Sequence, residues 1–211
     1  MKKIIGLLAF ALSCYSVSAQ YVEPERAEKR KANEIVTFPT TKFNAEETKN
    51  ALTEGTGKIT GVAFTKPKST YGANNPPRKI LASKVTIQLF PVTPYFQEYY
   101  KLWKDKSKHN PKANKYVYMD EKAIRLRLEA ITNSTGEFTF PNMKPGKYYL
   151  WTTVDYGLEF NSKEYAGSGY GAYGTTDYYK QNTYTKGYTD LLEAFVEIKA
   201  NGETVTVNLK N

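Results

Sequence analysis

The sequence predicts an all-β protein: a seven-stranded antiparallel β-sandwich with a short helix inserted into it. Three observations carry that expectation. Runs such as Val85-Thr86-Ile87-Gln88-Leu89-Phe90 alternate apolar and polar residues, the period of a strand with one wet face and one buried face. Clusters of turn residues, among them Asn133-Ser134-Thr135-Gly136, Lys144-Pro145-Gly146 and Asn201-Gly202, separate these runs at short intervals. From Pro94 onward one segment changes to the three-and-four spacing of a helix.

The chain opens on Lys2 and Lys3, followed by an apolar run from Ile4 to Leu12 and by Val17-Ser18-Ala19, whose small residues suit a signal peptidase. Residues 1–19 are therefore expected to be a bacterial signal peptide cleaved before Gln20, leaving a periplasmic or secreted protein of the cell envelope. The apolar run is far short of the roughly 20 residues that span a bilayer, and no later segment is longer, so the mature chain is expected to have no transmembrane segment. A rival reading makes the protein a lipoprotein acylated at Cys14. Ala11-Leu12-Ser13-Cys14 fits it worse, because Leu12 and Ala11 stand in exchanged places for such a site. Cys14 is the one cysteine of the chain, so export by the first route leaves no disulfide and the core must hold itself together.

A length of 211 residues fits one domain with elaborated loops. The formal charge of +9 favours anionic neighbours in principle. Lysines are spread along the whole sequence, however, as solvated surface charge is, and nucleic acid is not an expected partner in this compartment. Residues 20–56 are charged and irregular, with Glu23-Pro24-Glu25-Arg26 and Glu28-Lys29-Arg30-Lys31, and read as a leader or linker with one short strand at Ile35 to Phe38.

From residue 57 the sandwich begins. Lys58 to Phe64 is the first convincing strand, followed by a turn-rich loop from Pro67 to Arg78 and by the Val85 to Phe90 strand. Thr93 can cap a helix and Pro94 suits its first position; Phe96, Tyr99, Tyr100 and Trp103 then mark an amphipathic helix from Pro94 to about Lys106. A lysine-rich loop follows. Ile124 to Ile131 alternates apolar and charged residues and reads as a strand. Glu137 to Phe140 and Lys147 to Tyr156 are the next two, each entered through a turn. Leu192 to Ala200 and Thr204 to Leu209 flank Asn201-Gly202, which predicts a closing hairpin.

The segment Thr132-Asn133-Ser134-Thr135-Gly136-Glu137-Phe138-Thr139-Phe140-Pro141-Asn142-Met143-Lys144-Pro145-Gly146-Lys147-Tyr148-Tyr149-Leu150 resembles the hallmark of carboxypeptidase regulatory-like domains. Lys58 to Phe64 and Val85 to Thr93 are similar to two further strands of that family. The resemblance runs from about Gly57 to Tyr156 and implies a transthyretin-like, Ig-like seven-stranded sandwich over residues 57–211. It implies little about function, because such domains serve as folding aids, adhesion modules and ligand platforms.

Two stretches depart from the family pattern: 94–122, holding the aromatic helix and the lysine loop, and 157–188, rich in glycine, threonine and tyrosine. These are where binding is expected. Tyr165, Tyr170, Tyr173, Tyr178, Tyr179 and Tyr184 in the second, with Tyr99 and Trp103 in the first, offer flat faces and polar tips suited to a sugar ring or a protein surface. The bland alternatives are a flexible surface loop for the tyrosines and simple packing for the helix.

Catalysis finds little support in the inventory. The one histidine, His109, cannot supply the paired histidines of transthyretin-like hydrolases, of iron dioxygenases with a related sandwich or of zinc carboxypeptidases. No cofactor and no metal is expected. Carboxylates could still cleave a glycosidic bond, and Asp155 with Glu159 or Asp177 with Asp190 are the pairs to consider. The expected function is thus a non-catalytic binding module meeting a glycan or an envelope protein through Tyr-rich loops. The alternatives are an assembly subunit that docks through a sandwich edge and a small carboxylate-dependent hydrolase.

Overall fold

The computed structural model describes residues 33–68 and 70–211. The signal-peptide and Cys14 readings lie outside the described residues. Two four-stranded sheets face each other around one core. In the first, β2 (Gly57–Thr65) is central, and β7 (Glu137–Met143) and β3 (Ile80–Leu81) pair with it antiparallel. β10 (Thr204–Leu209) pairs with it parallel. The second runs β6 (Leu128–Ile131), β4 (Thr86–Pro91), β8 (Gly146–Gly171), β9 (Gly174–Ile198), all antiparallel. A separate parallel pair joins β1 (Ile35–Thr37) to β5 (Lys115–Val117). The mostly antiparallel sandwich thus stands, with more strands than the seven expected and with two parallel pairings.

The alternation read in the sequence sets the inner faces. Ile87 and Leu89 of β4, Phe138 and Phe140 of β7, and Leu150 and Val154 of β8 are buried together with Ile59, Leu192, Ile198 and Leu209. Gly136 enters β7 with φ of +77°, and a Cβ there would lie 2.5 Å from the Ala63 carbonyl oxygen, so this turn requires glycine.

Four segments differ from their sequence reading. Residues 33–56 hold β1 and a helix, α1 (Ala45–Leu52), capped by the Asn44 side chain and tied to the body by the Tyr148 hydroxyl, which donates to Ala51 O at 3.1 Å. Ile124 to Ile131 is not one strand. Asp120 caps a short helix, α3 (Glu121–Arg125), and only β6 remains extended. The last two strands do not form a hairpin. Gly202 has positive φ but Asn201 does not, which is the type II turn pattern rather than the type I′ that keeps strands paired. The chain crosses to the other sheet, and Glu203 closes the turn by accepting from the Lys199 and Ala200 amides. Finally, residues 157–188 are not a loop: β8 and β9 stay paired from Gly146–Ile198 to Gly171–Gly174, with one irregularity between Tyr165 and Gly167.

Candidate functional site

The outer face of the second sheet is covered where α2 (Pro94–Lys104) crosses it. Thr93 accepts from the Phe96 amide at 3.3 Å and Pro94 occupies the first turn, as the sequence indicated. Phe96 packs on Phe90 of β4 and Tyr149 of β8, with ring centroids 5.7 and 5.2 Å apart, and Tyr100 meets Tyr149 and Phe195 edge-on at 5.2 and 4.9 Å. The helix therefore adds a third, aromatic layer to the sandwich.

Between that helix, the segment through β5 and α3, and the sheet lies a cavity of about 200 Å³. Its floor is Gln88 and Trp151, partners across β4 and β8, and its walls include Tyr99, Trp103, Tyr118 and Ile124. Eight of its twelve lining residues are aromatic, so its walls are largely flat ring faces. Gln88, Trp151, Trp103 and Tyr99 have no side-chain hydrogen-bond partner among the described residues, and their polar atoms are not sealed from solvent. Burial pushes the Tyr99 hydroxyl up to about 12. At the rim Glu193 accepts from the Tyr149 hydroxyl at 2.7 Å and pairs with Lys104, whose ammonium lies 4.8 Å from the Trp103 ring centroid. Burial, then the bond to Glu193, drives the Tyr149 hydroxyl far above its usual range.

His109 is a wall support. Its Nδ1 accepts from the Val117 amide at 3.2 Å and its ring stands 5.8 Å from Trp103, and burial lowers its pKa from the usual 6.5. Among the described residues no group of three or more His, Cys, Asp or Glu is placed to hold a metal ion. Asp155 and Glu159 share a face of β8 but stand four residues apart, about 13 Å along the strand. Asp177 and Asp190 lie thirteen residues apart along β9, about 40 Å, and on opposite faces. Asp190 already accepts from Thr65, from Tyr156 at 3.0 Å and from Asn211 at 3.1 Å.

The remaining candidate residues stand on the β8–β9 ribbon, which projects about 50 Å beyond Asp155. Tyr165 faces Tyr179 across the strands, the rings meeting edge-on at 5.9 Å. Tyr184 stacks on Phe160 at 5.6 Å on the opposite face, where Tyr178 also stands. Tyr170 and Tyr173, near the tip, are almost wholly exposed. The structure thus splits the eight residues into two groups: Tyr99 and Trp103 in the cavity, and the six tyrosines along the ribbon. Sequence reasoning missed Gln88, Tyr118, Tyr149 and Trp151 of the cavity. The signal for three of them was there, since Gln88, Tyr149 and Trp151 fall on the outward phase of strands whose other phase is the core.

Among solved structures, a proposed carbohydrate-binding protein from Pseudomonas aeruginosa superposes with a TM-score of 0.52 at 19% identity, over 81% of this chain and 99% of that one. The minor pilin GBS52 of Streptococcus agalactiae gives 0.27 at 15% identity, over 74% and 95%. The first likeness bears on the fold; the second, at its lower score, adds nothing to it. No protein-family model and no curated protein sequence matches the chain.

Proposed function

We propose that this is an exported, non-catalytic carbohydrate-binding protein whose aromatic cavity takes one sugar ring. The observation that carries the reading is the cavity itself: aromatic walls over a floor of Gln88 and Trp151 whose polar atoms are uncommitted. A sugar ring has an apolar face of C–H groups, which suits the electron-rich face of an indole or phenol, and a rim of hydroxyls, which needs donors and acceptors. At about 200 Å³ the space is below the roughly 300–1,000 Å³ of sites that enclose larger ligands, which matches a single ring. The likeness to the Pseudomonas protein supports the same reading. The regulatory-like reading of 132–150 is consistent with the Gly136 turn and the buried Phe138 and Phe140. Export rests on residues 1–19, and the first residue of protein recovered from the envelope fraction tests it: Gln20 is expected.

The test of the site is isothermal titration of neutral mono- and disaccharides, with affinity gels of glucan, mannan and xylan, against the wild type and Trp151→Ala and Trp103→Ala variants checked for folding by circular dichroism. Binding that both variants lose is expected. Failure of every sugar, or a Trp151→Ala protein that binds as well as the wild type, removes the proposal. A second reading, docking of an envelope protein, is favoured by the long backbone edges that the ribbon leaves unpaired beyond Asn161. A pull-down from the envelope fraction with and without the ribbon checks it.

A further inference from the structure

We infer that the cavity is one end of a longer track, and that the ligand is an extended chain of neutral sugars laid along one face of the β8–β9 ribbon. The inference rests on the carbohydrate-binding reading and deepens it.

Strand alternation and the pairing register fix which residues share the cavity's face. Trp151, on the cavity floor, lies opposite Glu193. Moving outward on that same face come Thr153, Gly157 and Asn161 on β8, opposite Leu191, Gly187 and Thr183 on β9. Side-chain bonds confirm the shared face, since Thr189 donates to Asp155 at 2.5 Å and Thr183 to Asn161 at 3.0 Å. The face ends on the Tyr165–Tyr179 pair, fourteen residues from Trp151, or about 46 Å, and it winds with the strand twist.

Three features say what would lie there. The surface is open: apart from the half-exposed Leu191, the residues of this face from Thr153 to Tyr165 and from Tyr179 to Thr189 are exposed, and α2 does not cover Thr86 beside Thr153. The middle is flat, because Gly157 stands opposite Gly187, and a Cβ at Gly187 would meet nothing within 4 Å. The chemistry is hydroxyl and amide, reinforced where Asn74 reaches over the edge to donate to Asn161 at 2.8 Å. Charge then selects the polymer. Asp155 and Glu159 on this face outnumber Lys163, and Glu193 is neutralised by Lys104 at the cavity rim, so the chain's +9 is not displayed here and the face favours a neutral polymer over an acidic polysaccharide or nucleic acid. A neutral glycan has hydroxyls for the flat polar floor and C–H faces for the aromatic groups at both ends.

The experiment measures affinity for linear neutral glucan oligomers from disaccharide to decasaccharide, on the full mature chain. The variants are Tyr165→Ala/Tyr179→Ala, which removes the far contact, and Gly187→Ile, which raises a side chain from the floor at a position with ordinary strand φ. In the wild type the decasaccharide is expected to bind at least about tenfold tighter than the disaccharide, as added subsites on one chain do. Both variants should keep the disaccharide affinity and lose the gain. A decasaccharide that binds no tighter than the disaccharide overturns the track while leaving the cavity proposal standing, and so does a gain that both variants retain. Absence of binding at every length overturns both. Capture of an envelope protein that depends on Tyr165 and Tyr179, with no gain from chain length, replaces the glycan with a protein partner.

Discussion

Glu98 shows how one exposed carboxylate can order a neighbouring segment. It accepts from the Thr40 amide at 2.9 Å, the Thr40 hydroxyl at 2.7 Å and the Thr41 amide at 2.8 Å, fastening the chain before α1 to the side of α2. Donors from Thr41 and Thr40, hydroxyl and amide together, lower its pKa from 4.5 to about 2. Because the folded value is depressed, the contribution is fully present above 4.5 and is lost as pH falls through about 2. The protection of the Thr40 and Thr41 amides, taken by NMR relative to the intrinsic exchange rate at each pH from about 5 downward, should fall over that window, and Glu98→Gln should show low protection already at neutral pH. Unchanged protection in the variant would remove the role assigned to Glu98. Gly61 makes the opposite kind of point, where the absence of a side chain is structural. A Cβ there would come 2.2 Å from the Val207 carbonyl oxygen and 2.7 Å from the Phe138 ring, so β10 can lie against β2 only because residue 61 is glycine. Gly61→Ala is expected to cost about 1–3 kcal/mol in urea unfolding, as overpacking in a core does. A variant as stable as the wild type would show that β10 shifts freely.

At the scale of elements, what was legible in the sequence was whatever local chemistry decides. The α2 helix was legible because Thr93, Pro94 and an aromatic stripe agree with one another. Removing the cap tests how much the aromatic layer depends on it: Thr93→Ala should cost about 1 kcal/mol in thermal or urea unfolding. It should also weaken sugar binding, since Tyr99 and Trp103 stand on that helix. Loss of stability with binding intact would mean that packing on Phe90 and Tyr149 alone sets the helix in place. The core phase of β2, β4 and β7 was legible for the same reason, as period-two alternation reports burial directly. The elements that were missed depend on partners remote in sequence. Asn201-Gly202 looks like a hairpin turn, yet the strand after it finds its place beside β2, more than a hundred residues earlier. Ile124 to Ile131 alternates well, but Asp120 starts a helix and Ile124 becomes a wall of the cavity. Tyr165 to Tyr184 gave the composition of a loop, and only the register of β8 against β9 shows that the tyrosines divide between two faces. The cavity was half legible: its helix was, and its floor on the outward phase of β4 and β8 was hidden behind the more obvious inward phase.

For the whole molecule, the division of labour between body and ribbon makes a thermodynamic statement. Leu158 is the last fully buried residue along β8, and the loop at Ala73 and Asn74 braces the ribbon as far as Asn161. Beyond that, residues 162–182 form two strands with no third to cover them, and every side chain there is exposed or half-exposed. Such a ribbon adds little to the stability of the body, and an isolated pair of strands is itself marginal in water, so it should open locally without unfolding the sandwich. Replacing 162–182 by an Asn-Gly turn between the cross-strand partners Asn161 and Thr183 is therefore expected to change the unfolding free energy by no more than about 1 kcal/mol. It should abolish the protected amides of the ribbon and the gain in affinity with glycan length, while disaccharide binding in the cavity persists. If the shortened protein were destabilised by several kcal/mol, the ribbon would be part of the folding unit, and its open face would have to be explained by stability rather than by recognition.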